Sequence, residues 1–109
     1  MTIASFAQKT NLRAQCIPCP DKEVDGAYIG DLLSWVMGKA ESGNAWITIM
    51  SNVNVIAVAS LSDVACIILS EGVTLDDEVR LLAENKGVNV LLSDLPMYET
   101  ALNVSKVLL

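Results

Sequence analysis

The chain has 109 residues, the size of one domain; 52% of them are hydrophobic and 18% charged, which supports a sizeable core and excludes intrinsic disorder. Thirteen acidic residues against seven basic ones give a net charge of −6, which argues against nucleic-acid binding because phosphates are neutralised by clustered Lys and Arg. No histidine is present, so the commonest general base and the commonest metal ligand are missing.

The first forty residues alternate between helical and extended patterns. Apolar spacing after Thr2, a candidate N-cap, predicts a helix over residues 3–10, and alternation predicts short strands over 12–16 and 24–29. At residue 31 the period changes to that of a helix, which the Asp31 side chain is placed to cap. The predicted buried face of this helix is formed by Leu32, Leu33, Val36, Met37 and Ala40.

The middle of the chain contains two strongly apolar segments, residues 45–50 and 64–70, which are typical of strands in a parallel sheet. Residues 52–61, between them, fit a helix or a strand. Asn52 or Asn54 as an N-cap, and the need for a crossover between the two strands, favour the helix.

The clearest helix begins after Thr74, its predicted N-cap, and ends before Gly87. Two more elements follow: a strand over residues 88–92, and a helix that begins at Ser93 or Asp94 with Pro96 in its first turn. This alternation predicts an α/β fold. We expect a single compact domain over residues 1–109, with a mainly parallel sheet and helices on both faces.

The sequence contains no catalytic template. Gly38-Lys39-Ala40 lacks the first glycine and the Ser/Thr of a P-loop, no Gly-x-Gly-x-x-Gly motif is present, and a histidine-based nucleophile is excluded. The acidic cluster at residues 76–78 is explained by a helix start. We therefore expect a protein that is not an enzyme.

Targeting and membrane signals are also missing. Residues 1–9 do not resemble a signal peptide, and the long uncharged run over residues 42–62 is divided at its centre by Ser51, Asn52 and Asn54. We expect a cytoplasmic protein that does not associate with a membrane.

Cys16 and Cys19 form a CxxC motif, and Cys66 lies in an apolar run. A redox CxxC begins a helix, whereas Pro18 and Pro20 place this one in a loop. A structural zinc site usually has four ligands, of which this pair supplies two. We predict three reduced cysteines and no cofactor; a metal-binding accessory module that uses Cys16 and Cys19 is a less favoured alternative.

An open parallel sheet binds ligands at the carboxyl ends of its strands. Small polar residues occupy the predicted strand ends and could hold an anionic group, although turns and helix caps favour the same residue types. They are Ser51, Asn52, Asn54, Ser70, Glu71, Gly72, Ser93 and Asp94.

Two aromatic residues lie off the predicted apolar faces of their helices. Trp35 and Tyr98 are candidate interface residues, because aromatic side chains are enriched where proteins associate. Burial of Trp35 under the amino-terminal helix is the competing interpretation.

The segment Lys-Glu-Val-Asp-Gly-Ala-Tyr-Ile-Gly-Asp-Leu-Leu-Ser-Trp-Val-Met, residues 22–37, resembles the signature of DRTGG domains, and residues 45–49, 55–61 and 64–72 fit the same family. Asp25-Gly26-Ala27 replaces the usual Thr-Gly-Gly. The resemblance implies a fold like the amino-terminal domain of HPr kinase/phosphorylase, which is separate from the P-loop domain of that enzyme. It adds Gly26 and Asp31 to the candidate ligand-binding residues.

Similar domains in CBS-containing pyrophosphatases look regulatory or dimer-forming. We therefore expect a stand-alone, non-catalytic regulatory or interaction domain that forms a homodimer and has a protein partner. The alternative is a sensor that binds a nucleotide or another small anion at the strand ends.

Overall fold

A computed structural model describes all 109 residues and contains five helices and five strands. The helices are α1 (Ile3–Thr10), α2 (Leu33–Lys39), α3 (Val53–Ser62), α4 (Asp77–Lys86) and α5 (Met97–Leu108). The strands are β1 (Arg13–Cys16), β2 (Gly26–Ile29), β3 (Asn44–Thr48), β4 (Cys66–Leu69) and β5 (Val90–Leu92). None of the helices is long and apolar enough to span a bilayer.

The five strands form one sheet in the order β1-β5-β4-β3-β2. Strands β2 to β5 are parallel, and β1 joins the edge beside β5 in the antiparallel direction with a bulge. The radius of gyration is 12.0 Å, close to the value of about 13 Å expected for a compact chain of this length. The predicted single α/β domain with a mainly parallel sheet is confirmed.

Helices cover both faces of the sheet, as predicted. The crossovers from β2 to β5 place α2, α3 and α4 on one side, here called the front face, whereas α1 and α5 pack together on the back face. Alternation along the strands divides the core accordingly: Trp46 and Ile67 point to the front, and Ile47 and Ile68 to the back. Every residue of β4 is buried, which explains its uninterrupted apolar sequence.

Side chains at several helix ends confirm the caps read from the sequence. Thr2 accepts a hydrogen bond from the Ser5 amide at the start of α1, and Asn52 accepts two at the start of α3, so the segment that fitted a helix or a strand is a helix. Gly87, with φ of +72°, ends α4 in the left-handed conformation that glycine adopts readily.

The predicted starts of α4 and α5 are wrong. Asp76, not Thr74, caps α4 by accepting a hydrogen bond from the Val79 amide at 3.0 Å. The helix starts later because the intervening Leu75 is buried in the front core. In α5 the N-cap is Pro96, since the Ser93 hydroxyl is hydrogen-bonded to Thr100 instead.

Helix α2 differs most from expectation. Leu33 and Val36 pack against the front core as predicted, but Leu32 and Met37 are 59% and 55% exposed. This seven-residue helix lies at the border of the sheet, where only a narrow side of it meets the core. Asp31 does not cap it, and the N-cap, Leu32, contributes no side-chain hydrogen bond.

Candidate functional site

At one position on the carboxyl edge of the sheet, the connections that follow two neighbouring strands run to opposite faces. The chain leaves β4 toward the front face and β5 toward the back face, so a ligand crevice is expected between these two strands. Backbone hydrogen bonds close it instead: the Gly72 amide donates to the Ser93 carbonyl at 3.0 Å, and the Glu71 amide donates to the Leu95 carbonyl at 2.9 Å. None of the cavities in the domain lies between these two loops.

Most of the polar side chains at this edge have hydrogen-bond partners within the fold. Asp31 accepts hydrogen bonds from the Thr48 hydroxyl at 2.6 Å and the Ile49 amide at 3.1 Å, which ties β2 to β3. The Ser93 hydroxyl lies 2.8 Å from that of Thr100 and accepts a hydrogen bond from the Leu95 amide. With Asn52 acting as a cap, turn and cap chemistry accounts for these residues.

Ser70 is the exception at this edge. It is fully buried at the end of β4, and its hydroxyl has no hydrogen-bond partner. Alternation along β4 directs the side chain to the back face of the sheet. This buried hydroxyl is therefore a local cost to stability.

The charges at the carboxyl edge are predominantly negative. Asp31, Glu71 and Asp94 all follow strands. Arg13 is paired with Asp94 at 2.8 Å, which neutralises the cation beside a shallow crevice of about 520 Å³ between the α1–β1 and β5–α5 connections. An anionic ligand would meet carboxylates rather than free cations here.

One of the predicted ligand residues lies apart from this group. Gly26 is at the amino end of β2, the opposite edge of the sheet, where an added Cβ would lie 3.1 Å from the Asn44 side-chain nitrogen. Ser51 remains at the carboxyl edge, half-buried in the connection between β3 and α3. The structure therefore does not gather the predicted ligand residues into one cavity.

The three cysteines are free and largely enclosed. Burial raises the pKa of the Cys66 thiol to about 12, and burial together with the nearby Glu84 carboxylate raises the pKa of Cys16. The Cys16 thiol donates to the Val88 carbonyl at 3.6 Å. No group of three or more His, Cys, Asp or Glu side chains is positioned to hold a metal ion.

The two candidate interface aromatics lie on opposite faces of the sheet. Trp35, on α2 at the front, is 59% exposed, and Tyr98, on α5 at the back, is 72% exposed. Helix α1 is also at the back, so it does not bury Trp35. The Lys39 ammonium lies 5.0 Å from the centroid of the Trp35 ring.

Strand β2 forms an open edge with a groove on each side, a feature missing from the sequence interpretation. The back groove, about 290 Å³, is apolar and is lined by residues that include Ile29, Ile47, Val104 and Leu108. The front groove, about 470 Å³, is polar and includes Asp25, Lys39 and Glu41. Only the placement of β2 at the sheet edge, which the sequence does not give, reveals this surface.

Comparisons with known proteins agree with the fold. The family model described as the DRTGG domain matches residues 20–107. The crystal structure of the CBS and DRTGG domains of the regulatory region of Clostridium perfringens pyrophosphatase, complexed with the activator diadenosine tetraphosphate, aligns with a TM-score of 0.72 at 15% identity. The alignment covers 94% of this chain and 45% of that one. No curated protein matches the chain.

Proposed function

Because the chain belongs to the DRTGG domain family, we propose that it is a non-catalytic regulatory domain that acts by association, as a homodimer formed through α2. The domains that it resembles belong to the regulatory region of a pyrophosphatase, which supports a regulatory role for this chain. Three free thiols fit a reducing compartment, so we place the protein in the cytoplasm.

The observation that carries the proposal is the apolar outer side of α2. Leu33 and Val36 face the core, and Leu32 and Trp35, one turn apart, are each 59% exposed. Met37 is 55% exposed as well, but it follows Trp35 by two residues and therefore lies on another side of the helix. An exposed leucine beside an exposed tryptophan supports an interaction surface here, because soluble proteins rarely expose adjacent large apolar side chains without a partner.

Trp35 is the expected centre of the interface. Tryptophan is enriched among the side chains that dominate binding energies, and truncation of such a residue typically costs about 2 kcal/mol or more, roughly a thirtyfold weaker association. In a two-fold dimer the same patch of each copy meets its counterpart. An interface formed by α2 on the front face therefore does not include Tyr98, which is on the back face of the sheet.

Sedimentation of three proteins tests the proposal. The unmodified chain is expected to dimerise at micromolar concentrations, and Trp35→Ser is expected to shift it to monomer while leaving its circular dichroism unchanged, since the side chain is largely exposed. Tyr98→Ser is the matched control and is expected to remain dimeric. A monomeric wild type, or dimer loss in Tyr98→Ser alone, would contradict the proposal.

Nucleotide sensing is the second candidate, favoured by the activator bound to the pyrophosphatase region. The closed crevice between β4 and β5 and the carboxylates at the strand ends weigh against it. Diadenosine tetraphosphate is therefore expected to leave the thermal midpoint unchanged, since only a ligand that binds the folded state raises it. A concentration-dependent rise in the midpoint would establish the sensor instead.

A further inference from the structure

The two edges of the sheet are protected very differently. At the β1 edge a bulge interrupts the strand and Arg13 is exposed, while the Gln15 side chain is hydrogen-bonded in both directions to the backbone of Leu75, at 2.8 and 2.9 Å. Bulges, charges and covering loops are the devices that prevent an edge strand from pairing with another chain. Strand β2, Gly-Ala-Tyr-Ile, has no charge, proline or bulge.

The free hydrogen-bonding groups of β2 belong to two exposed residues. The Gly30 amide donates to the Ile47 carbonyl of β3 at 3.2 Å. Backbone groups alternate in direction along a strand, so the amide and carbonyl groups of Tyr28 also point toward β3. The amide and carbonyl groups of Ala27 and Ile29 therefore point to the open edge. Both of these residues are exposed.

We propose that the β2 edge binds an extended peptide segment of a partner protein, in which apolar and basic residues alternate, as an added strand. The side chains of such a strand point alternately to the two faces of the sheet. Its apolar residues would enter the back groove against Ile29 and Leu108, and its basic residues would enter the front groove beside Asp25 and Glu41.

Charge favours a basic partner strand over a second copy of this chain. Asp25 and Asp31 flank β2, and the front groove contains Glu41 together with a single cation, Lys39. Antiparallel pairing of two β2 strands would bring the Asp25 end of one against the Asp31 end of the other, and like charges across a strand pair are destabilising. Lysine or arginine side chains would instead be attracted to these three carboxylates, which outnumber the one ammonium group, that of Lys39. Neither groove is lined by Leu32 or Trp35, on which the proposed dimer rests, although Lys39 lies between Trp35 and the front groove.

The test measures binding of a synthetic peptide of alternating lysine and valine residues, blocked at both ends, by titration calorimetry. Wild type is expected to bind it at least about tenfold more tightly than a peptide of the same composition with its valines grouped, because only the alternating peptide fills both grooves. Equal binding of the two peptides would overturn the proposal, since it would show adsorption by net charge alone.

Two variants at one position examine the edge itself. Ala27→Pro removes an amide that points away from the sheet, so the fold is expected to survive while peptide affinity falls about three- to tenfold. Ala27→Ser keeps the amide and is expected to bind as wild type does. Unchanged affinity in a folded Ala27→Pro, or its conversion from dimer to monomer, would overturn the proposal; the second result would assign the edge to a second copy.

Two further measurements distinguish binding at the β2 edge from misfolding of a variant and from the proposed dimer. A peptide methylated on the amides of its pairing edge is expected to bind at least about threefold more weakly to wild type, a result that does not depend on the folding of any variant. Trp35→Ser is expected to bind the unmodified peptide as wild type does, so failure of the dimer proposal leaves this one intact. Loss of peptide binding in Trp35→Ser would overturn the assignment to β2.

Discussion

Replacement of Ser70 by alanine is expected to stabilise the domain, an unusual result for a fully buried position. Its hydroxyl has no hydrogen-bond partner, and burial of an unpaired hydroxyl costs about 1–3 kcal/mol relative to water. Alanine keeps the Cβ, and the void left by one oxygen costs only roughly a few tenths of a kcal/mol, at about 24 cal/mol per Å³. The net gain in the free energy of unfolding is therefore about 1–2 kcal/mol.

Ser93 provides the matched control, because it is also buried and also ends a strand. Its hydroxyl is paired with Thr100 at 2.8 Å and with the Leu95 amide at 3.2 Å. Ser93→Ala breaks both hydrogen bonds and is expected to lower the free energy of unfolding by about 1–2 kcal/mol. The same Ser→Ala substitution is thus expected to raise the free energy of unfolding at the end of β4 and to lower it at the end of the neighbouring strand β5.

Urea unfolding of both variants at one protein concentration measures this difference. With a slope of about 2 kcal/mol per M, a gain of about 1 kcal/mol raises the midpoint by about 0.5 M. A lower midpoint for Ser70→Ala would refute the reasoning, because it would show that the hydroxyl has a partner, such as an enclosed water or a ligand. A raised midpoint for Ser70→Ala would therefore also support the conclusion that the carboxyl edge of the sheet is closed.

Two further predictions concern titratable groups. Cys19, the most accessible thiol, is expected to react with a disulfide reagent in the native protein, whereas Cys16 and Cys66, whose pKa values burial raises, react only on unfolding; prompt reaction of all three would contradict this. The Lys22 side chain, 2.7 Å away, lowers the pKa of Asp63 below 3.8, so this pair stabilises the fold above that pH and its contribution is lost as the pH falls through the lowered value. Lys22→Met is expected to narrow the difference between urea midpoints at about pH 7 and about pH 3, and an unchanged difference would contradict the assignment.

Local signals were sufficient for much of the fold. Asn52 and Gly87 identify helix ends because their side-chain or backbone preferences act within one turn. Thr74 did not identify the start of α4 because Asp76, two residues later, is an equally good N-cap. The choice is made by burial of Leu75 and by its hydrogen bonds to Gln15, sixty residues earlier in the chain, which no local pattern contains.

The candidate site was less predictable for the same reason. The sequence places Asp31 and Ser93 at strand ends, but whether their oxygens are free depends on Thr48 and Thr100, which the sheet and α5 bring to them. The exposure of Trp35 was predicted from its position off the apolar stripe. The open edge of β2 was not predicted, because strand order decides which strand is outermost.

Hydrogen exchange of the unmodified chain at about 1 µM and about 100 µM tests the central claim, association through α2, most directly. Helix α2 is short and lacks a side-chain cap, so its amides should exchange readily in a monomer and be markedly slowed when a second copy covers them. Association through α2 is expected to slow exchange at the higher concentration in peptides that contain Trp35, and not in those that contain Tyr98. Exchange independent of concentration, or slowed only in α5, would contradict it.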